Sequence, residues 1–143
     1  MITSDRWWHT LSVARKAKEL ARKIKPNDEK YAEDMFLLGL LHDFGYEFTT
    51  GEHAKIGGEV LKRNGYRYWR EIMFHGCVED CDMTDESFIL NCADMTIGPD
   101  GKDMTFEERL EDIAARHGKT SRAYEMSFKE ISVLKKDKRC KLI

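Results

Sequence analysis

His42 and Asp43 stand side by side at the end of an apolar run that begins near Met35 and closes in Leu40-Leu41-His42-Asp43-Phe44-Gly45. Ionisable groups buried among apolar residues are expensive unless paired or bound to a metal. Adjacent residues at a helix end project about 100° apart, so both can still reach one cation. The partial negative charge of a helix C-terminus favours a cation there as well. Taken singly, the pair reads first as a hydrogen-bonded core histidine and a capping aspartate. Four further residues weigh against that reading by accumulation. His9, His53 and His75 each fall on the apolar face of a separate predicted helix, and Asp94 interrupts the small apolar run Asn91-Cys92-Ala93-Asp94-Met95. Imidazoles and carboxylates without thiolates suit a divalent iron, manganese, cobalt, nickel or zinc ion. A carboxylate such as Asp43 can bridge two ions, so one ion and two both stay open. His117, the fifth histidine, precedes Gly118 at a helix end and reads as a partner of the helix dipole.

Nucleophilic catalysis has little to work with. There is no activated-serine motif, and no cysteine sits beside an obvious base. Cys77, Cys81, Cys92 and Cys140 show no C-x-x-C spacing and read as reduced thiols. Cys77 and Cys81 near His75 permit a zinc clip by spacing, but a fourth ligand is not evident. The terminal Cys140-Lys141-Leu142-Ile143 loosely resembles a prenylation box, with Lys141 wrong for an aliphatic position.

The donors need helices to position them. Ser4 or Asp5 can cap a first helix whose inner face carries His9, Val13, Ala17, Leu20 and Ile24, with Arg6 one turn before His9. Pro26-Asn27-Asp28 starts a second helix, apolar over most of its circumference late on and therefore expected at the centre. Gly45 suits a left-handed residue just past its end. After the connector Thr49-Thr50-Gly51, a third helix carries His53, Lys55, Ile56, Val60 and Leu61 and ends at Asn64-Gly65. Gly57-Gly58 inside it costs about 1 kcal/mol per glycine relative to alanine, which points to a close approach there. A short aromatic helix spans Tyr68 to His75, and an acidic loop follows at Glu79-Asp80-Cys81-Asp82. Another helix starts at Thr84 or Asp85 and brings Leu90 and Asp94 onto one side. Gly98-Pro99-Asp100-Gly101 is a turn, and Thr105-Phe106-Glu107-Glu108 is a capping box opening a helix that includes Arg109 and runs to Gly118. A last helix, roughly 121–136, turns Tyr124, Phe128, Ile131 and Leu134 inward and leads to a short basic tail. No strand alternation or repeat is present, so the expected class is all-α.

At 143 residues the chain is expected to form one domain, with its core over about 4–120. A formal charge of −2 argues against a protein that coats a nucleic-acid polymer. No apolar run approaches membrane-spanning length and no signal-peptide pattern opens the chain, so the expectation is a cytoplasmic protein without a membrane partner.

The spacing of His9, His42-Asp43 and Asp94 resembles the HD superfamily of metal-dependent phosphohydrolases. His53 and His75, in Glu52-His53-Ala54-Lys55-Ile56-Gly57-Gly58 and Ile72-Met73-Phe74-His75-Gly76, fall where two-metal members add histidines. Small stand-alone bacterial HD hydrolases that cleave dinucleoside polyphosphates are similar in these segments, including an arginine placed like Arg6. The resemblance covers roughly residues 4–120 and implies a phosphodiesterase-like helical bundle. It implies that His9, His42, Asp43 and Asp94 hold metal, while His53 and His75 either ligate a second ion or line the pocket. Asp43, Asp94 and His75 would then carry catalysis, in which metal-activated water cleaves a phosphate ester or anhydride of a nucleotide or similar small molecule. This chain has Tyr46 where many relatives place a phosphate-facing lysine, so Arg6, Lys55 and Arg109 become the expected phosphate contacts. The alternatives are a non-catalytic HD domain binding nucleotide and metal, and a di-iron HD oxygenase. Self-association into a homodimer stays open.

Overall fold

A computed structural model of the chain describes residues 2–49 and 51–143. Thr50, the middle of the expected connector, lies outside them. The described residues form seven α-helices: α1 (Ser4–Ile24), α2 (Glu29–Leu41), α3 (His53–Arg63), α4 (Trp69–Met73), α5 (Asp85–Met95), α6 (Phe106–His117) and α7 (Arg122–Lys136). Single 3₁₀ turns lie at Phe44–Glu47 and Lys138–Leu142. No strand occurs among the described residues; Ile97 and Asp103 form an isolated bridge across the Gly98–Gly101 turn. The protein is all-α, as the sequence predicts.

Side chains start the helices. Asp28 accepts from the Tyr31 N–H, Thr84 from Ser87 and Ser121 from Tyr124. Thr105 and Glu108 complete the expected capping box. For α1 the cap is Thr3, one residue before the expected Ser4 or Asp5, and it accepts from the Arg6 N–H. These caps satisfy donors that the first helical turn leaves free.

α1 packs chiefly on α2 and α5. The helix enclosed on all sides is α5, not α2 as expected: Ser87 to Ala93 is buried without interruption, whereas Leu37 of α2 is 45% exposed. Phe128 is also a correction, since it is 53% exposed while Ile131 and Leu134 are buried. The inner face of α7 lies one residue round from the expected stripe and includes Glu130. The basic tail is anchored by Arg139, whose guanidinium donates to Asp85 and to the Met83 carbonyl, each at 2.8 Å.

Glycines set the close contacts around the α2–α3 junction. Gly45 does not have the left-handed backbone expected of it. Its reason is steric: a Cβ there would lie 1.8 Å from the His53 carbonyl oxygen and 3.0 Å from the Gly57 nitrogen. A Cβ on Gly58 would lie 2.4 Å from the Met73 Cβ, which is the close approach that Gly57-Gly58 predicted and which seats α3 on α4.

Candidate metal centre

The six donors converge from five segments. His9 comes from the second turn of α1, and His42 caps the C-terminus of α2, with Asp43 next to it. His53 opens α3, His75 follows α4, and Asp94 is the penultimate residue of α5. His9, His42, Asp43 and His75 are buried, with His42 fully enclosed.

Three imidazoles are oriented the same way. Their Nδ1–H groups donate to backbone carbonyls: His9 to Gly98 at 2.8 Å, His42 to Gly39 at 2.7 Å and His75 to Ile72 at 2.6 Å. A carbonyl can only accept, so Nδ1 of each ring carries a proton and Nε2, whose lone pair is the metal donor when unprotonated, faces the cluster. What those lone pairs face is carboxylate. Asp43 Oδ2 lies 3.2 Å from His42 Nε2 and 3.7 Å from His9 Nε2, while Asp43 Oδ1 lies 3.2 Å from His53 Nε2 and 3.4 Å from His75 Nε2. Asp94 Oδ1 lies 3.0 Å from His9 Nε2 and 3.4 Å from His42 Nε2. Each oxygen of Asp43 therefore serves a different pair of histidines.

Lone pair against lone pair at these distances is repulsive unless a proton or a cation lies between. The His42 Nε2 atom is buried and takes part in no hydrogen bond although two carboxylates stand near it. Burial alone would lower the His42 pKa, but the nearby Asp43 and Asp94 carboxylates outweigh it and push it well above the ordinary value. Burial likewise opposes ionisation of Asp43 and Asp94, yet the facing imidazoles hold both carboxyls well below the usual range. The arrangement wants positive charge at its centre. Three sets of donors could each hold a metal ion: His9–His42–Asp43, His42–His75–Asp94 and Asp43–His53–His75. The residue types, the Nε2 orientation and the orphaned His42 nitrogen all fit a transition-metal ion.

His53 is held differently, by stacking. Its ring lies on Tyr46 with centroids 3.9 Å apart and planes 15° from parallel. The Arg6 guanidinium carbon sits 3.6 Å from the same Tyr46 centroid. Two groups that close to one centroid cannot share a face, so Tyr46 is sandwiched between them. Burial and the Asp43 charge raise the Tyr46 phenol pKa and keep it neutral. Arg6 also reaches Asp43 Oδ2 at 3.3 Å. Tyr46 is thus an aromatic slab that seats Arg6 beside Asp43.

The cluster floors a cleft of about 670 Å³ whose lining includes Arg6, Lys55 and Arg109, so the three expected phosphate contacts share one cavity with the donors. Lys55 is exposed at the cleft, whereas Arg109 donates to Asp112 at 3.4 Å. Cys77 lines the same cleft but joins none of the metal-competent groups, so the zinc clip does not form among the described residues. The sequence reading missed Glu130, a buried carboxyl in the opposite wall. Its signal was available: it lies one turn before Leu134 and next to Ile131, on the inner face of α7.

Helices packed around a buried histidine–aspartate cluster, with basic side chains at the cleft, define a metal-competent helical protein. An HD domain family model matches residues 6–137, through α7 and beyond the 4–120 of the sequence resemblance, and the chain belongs to the HD domain family. That family consists mostly of metal-dependent hydrolases. No match to a curated protein or to a solved structure accompanies it.

Proposed function

We propose that this protein is a metal-dependent phosphohydrolase that cleaves a phosphate ester or anhydride of a nucleotide or similar small molecule. The observation that carries the reading is the convergence of three Nδ1-anchored imidazoles and two ionised carboxylates on one point, under a cleft lined by Arg6, Lys55 and Arg109. A divalent ion bound there supplies Lewis acidity toward a phosphoryl oxygen and acidifies the water it binds. His9, His42, Asp43 and Asp94 would hold such an ion. His53 and His75, facing the other Asp43 oxygen, would hold a second. Asp94 is the more open carboxylate, with its side chain 16% exposed against 6% for Asp43. It is placed to accept a hydrogen bond from a water in the cleft and turn it toward phosphorus. Arg6, Lys55 and Arg109 offset the charge of the bound phosphate, and the Tyr46 slab keeps Arg6 in place.

The test is turnover by metal-loaded protein on 4-nitrophenyl phosphate, bis(4-nitrophenyl) phosphate, mononucleotides and dinucleoside polyphosphates. At least one should be hydrolysed, and Asp94→Asn should lower its rate by roughly 10²-fold or more, the usual worth of a positioned acid–base group. Full activity in Asp94→Asn with metal still bound would refute the mechanism.

A further inference from the structure

The cleft has a second wall, in which the hydrolytic reading uses only the positive charge of Arg109. Glu130, from α7, is 3% exposed, and its Oε1 is buried without a hydrogen-bond partner. Arg109, from α6, lines the same cleft. Its Nη1 reaches Asp112, but its Nε–H is buried and finds no acceptor. Buried polar atoms are nearly always matched, so two orphans in one wall call for a reason. They make no hydrogen bond to one another. The same lining carries the apolar Met95, Ile113 and Met126 together with the polar Arg122 and Ser127. Burial first, and then the Asp94 charge, push the Glu130 pKa well above its ordinary value, so the group stays protonated.

A neutral carboxyl presents an O–H donor beside a C=O acceptor, and the Arg109 Nε–H adds a second donor. The matching partner is flat, fits among apolar side chains, and carries donor and acceptor atoms along one edge. A purine substituted at C6 does so, through N1, the C6 substituent and N7. The cleft, at about 670 Å³, has room for such a base beside the cluster. We propose that Glu130 and Arg109 form a base-recognition subsite that reads the N1–C6–N7 edge of a purine nucleotide. Placing the phosphate over the cluster rests on the hydrolytic reading; recognition of the base does not.

Nucleosides separate the two, because they carry no phosphate to cleave. Calorimetric titration of the purified protein should give adenosine or inosine an affinity at least about tenfold above purine riboside, which lacks the C6 substituent, as the loss of one or two buried hydrogen bonds requires. The tighter of the two identifies the C6 group. Glu130→Met should erase the preference, whereas Glu130→Gln, whose amide keeps a donor and an acceptor, should keep it within about threefold. Glu130→Met removes the orphan oxygen at similar volume, so its thermal midpoint should not fall below that of the wild type. Equal affinity for all three nucleosides, no adenosine or inosine binding at millimolar concentration, or an undiminished preference in Glu130→Met would each overturn the assignment. If the preference is found while no phosphate ester is hydrolysed, the subsite stands and the hydrolytic reading falls.

Discussion

Gly45→Ala should damage the cluster without touching a single donor. A Cβ at Gly45 would stand 1.8 Å from the His53 carbonyl oxygen and 2.6 Å from its carbon, against about 3.4 Å for ordinary contact. The obstacle is backbone, so no rotamer change relieves it. The start of α3 must retreat by about 1.5 Å, and His53 begins α3. The 3.2 Å approach of His53 Nε2 to Asp43 Oδ1 would be lost with it. Overpacking of this kind costs about 1–3 kcal/mol, and more where backbone must move. For a domain of this size that is a fall in melting temperature of roughly 3–10 °C. Calorimetry should show the fall, and elemental analysis should show loss of the ion held by Asp43, His53 and His75, while the ion at His9 and His42 stays. Gly65→Ala is the control. It strains a residue at φ 76° with nothing within 4 Å of its Cβ, so it should cost stability and leave metal content alone. Wild-type stability and metal content in Gly45→Ala would refute the packing argument.

Chelation of the purified protein should lower its melting temperature, because an ion that binds only the folded chain at 100 times its Kd contributes about 2.7 kcal/mol; an unchanged midpoint would mean that protons satisfy the cluster. Tyr46→Ala removes the slab between Arg6 and His53, and a several-fold rise in KM for a phosphate ester, with kcat less affected, is expected; an unchanged KM would show that Arg6 needs no such support. Glu130→Gln should change the pH dependence of stability. The Glu130 pKa is raised on folding, so the folded chain holds a proton that the unfolded chain releases above its ordinary value near 4.5. Wild-type stability is therefore complete below that pH and falls by up to about 1.4 kcal/mol per unit above it, until the folded pKa is passed. As pH rises from 4.5, the melting temperature of the wild type should drop away from that of the Glu130→Gln variant, and parallel curves would contradict a neutral buried Glu130.

Local chemistry was legible in the sequence and three-dimensional register was not. The caps at Asp28, Thr84, Thr105 and Ser121 follow from side-chain hydrogen bonding within one turn. The six donors were visible because a histidine or an aspartate on an apolar face is costly wherever that face packs. Which face of α7 packs was ambiguous, since apolar residues form two neighbouring stripes about 100° apart per residue step. That ambiguity turned Phe128 inward and hid Glu130. Gly45 was given a backbone reason because its real neighbour, the His53 carbonyl, is eight positions along the chain and meets it only after α3 folds back. Tyr46 was noticed as a departure, but its sandwich between Arg6 and His53 depends on side chains from two other segments.

Elemental analysis of metal per chain, on wild type, Asp43→Ala and His53→Ala purified side by side, goes straight to the cluster. Among the described residues, Asp43 is the one whose two oxygens face separate histidine pairs. Wild-type protein should carry transition metal at up to two ions per chain, Asp43→Ala should lose nearly all of it, and His53→Ala should lose about half. Metal content unchanged in folded Asp43→Ala would contradict a metal centre built on these six side chains.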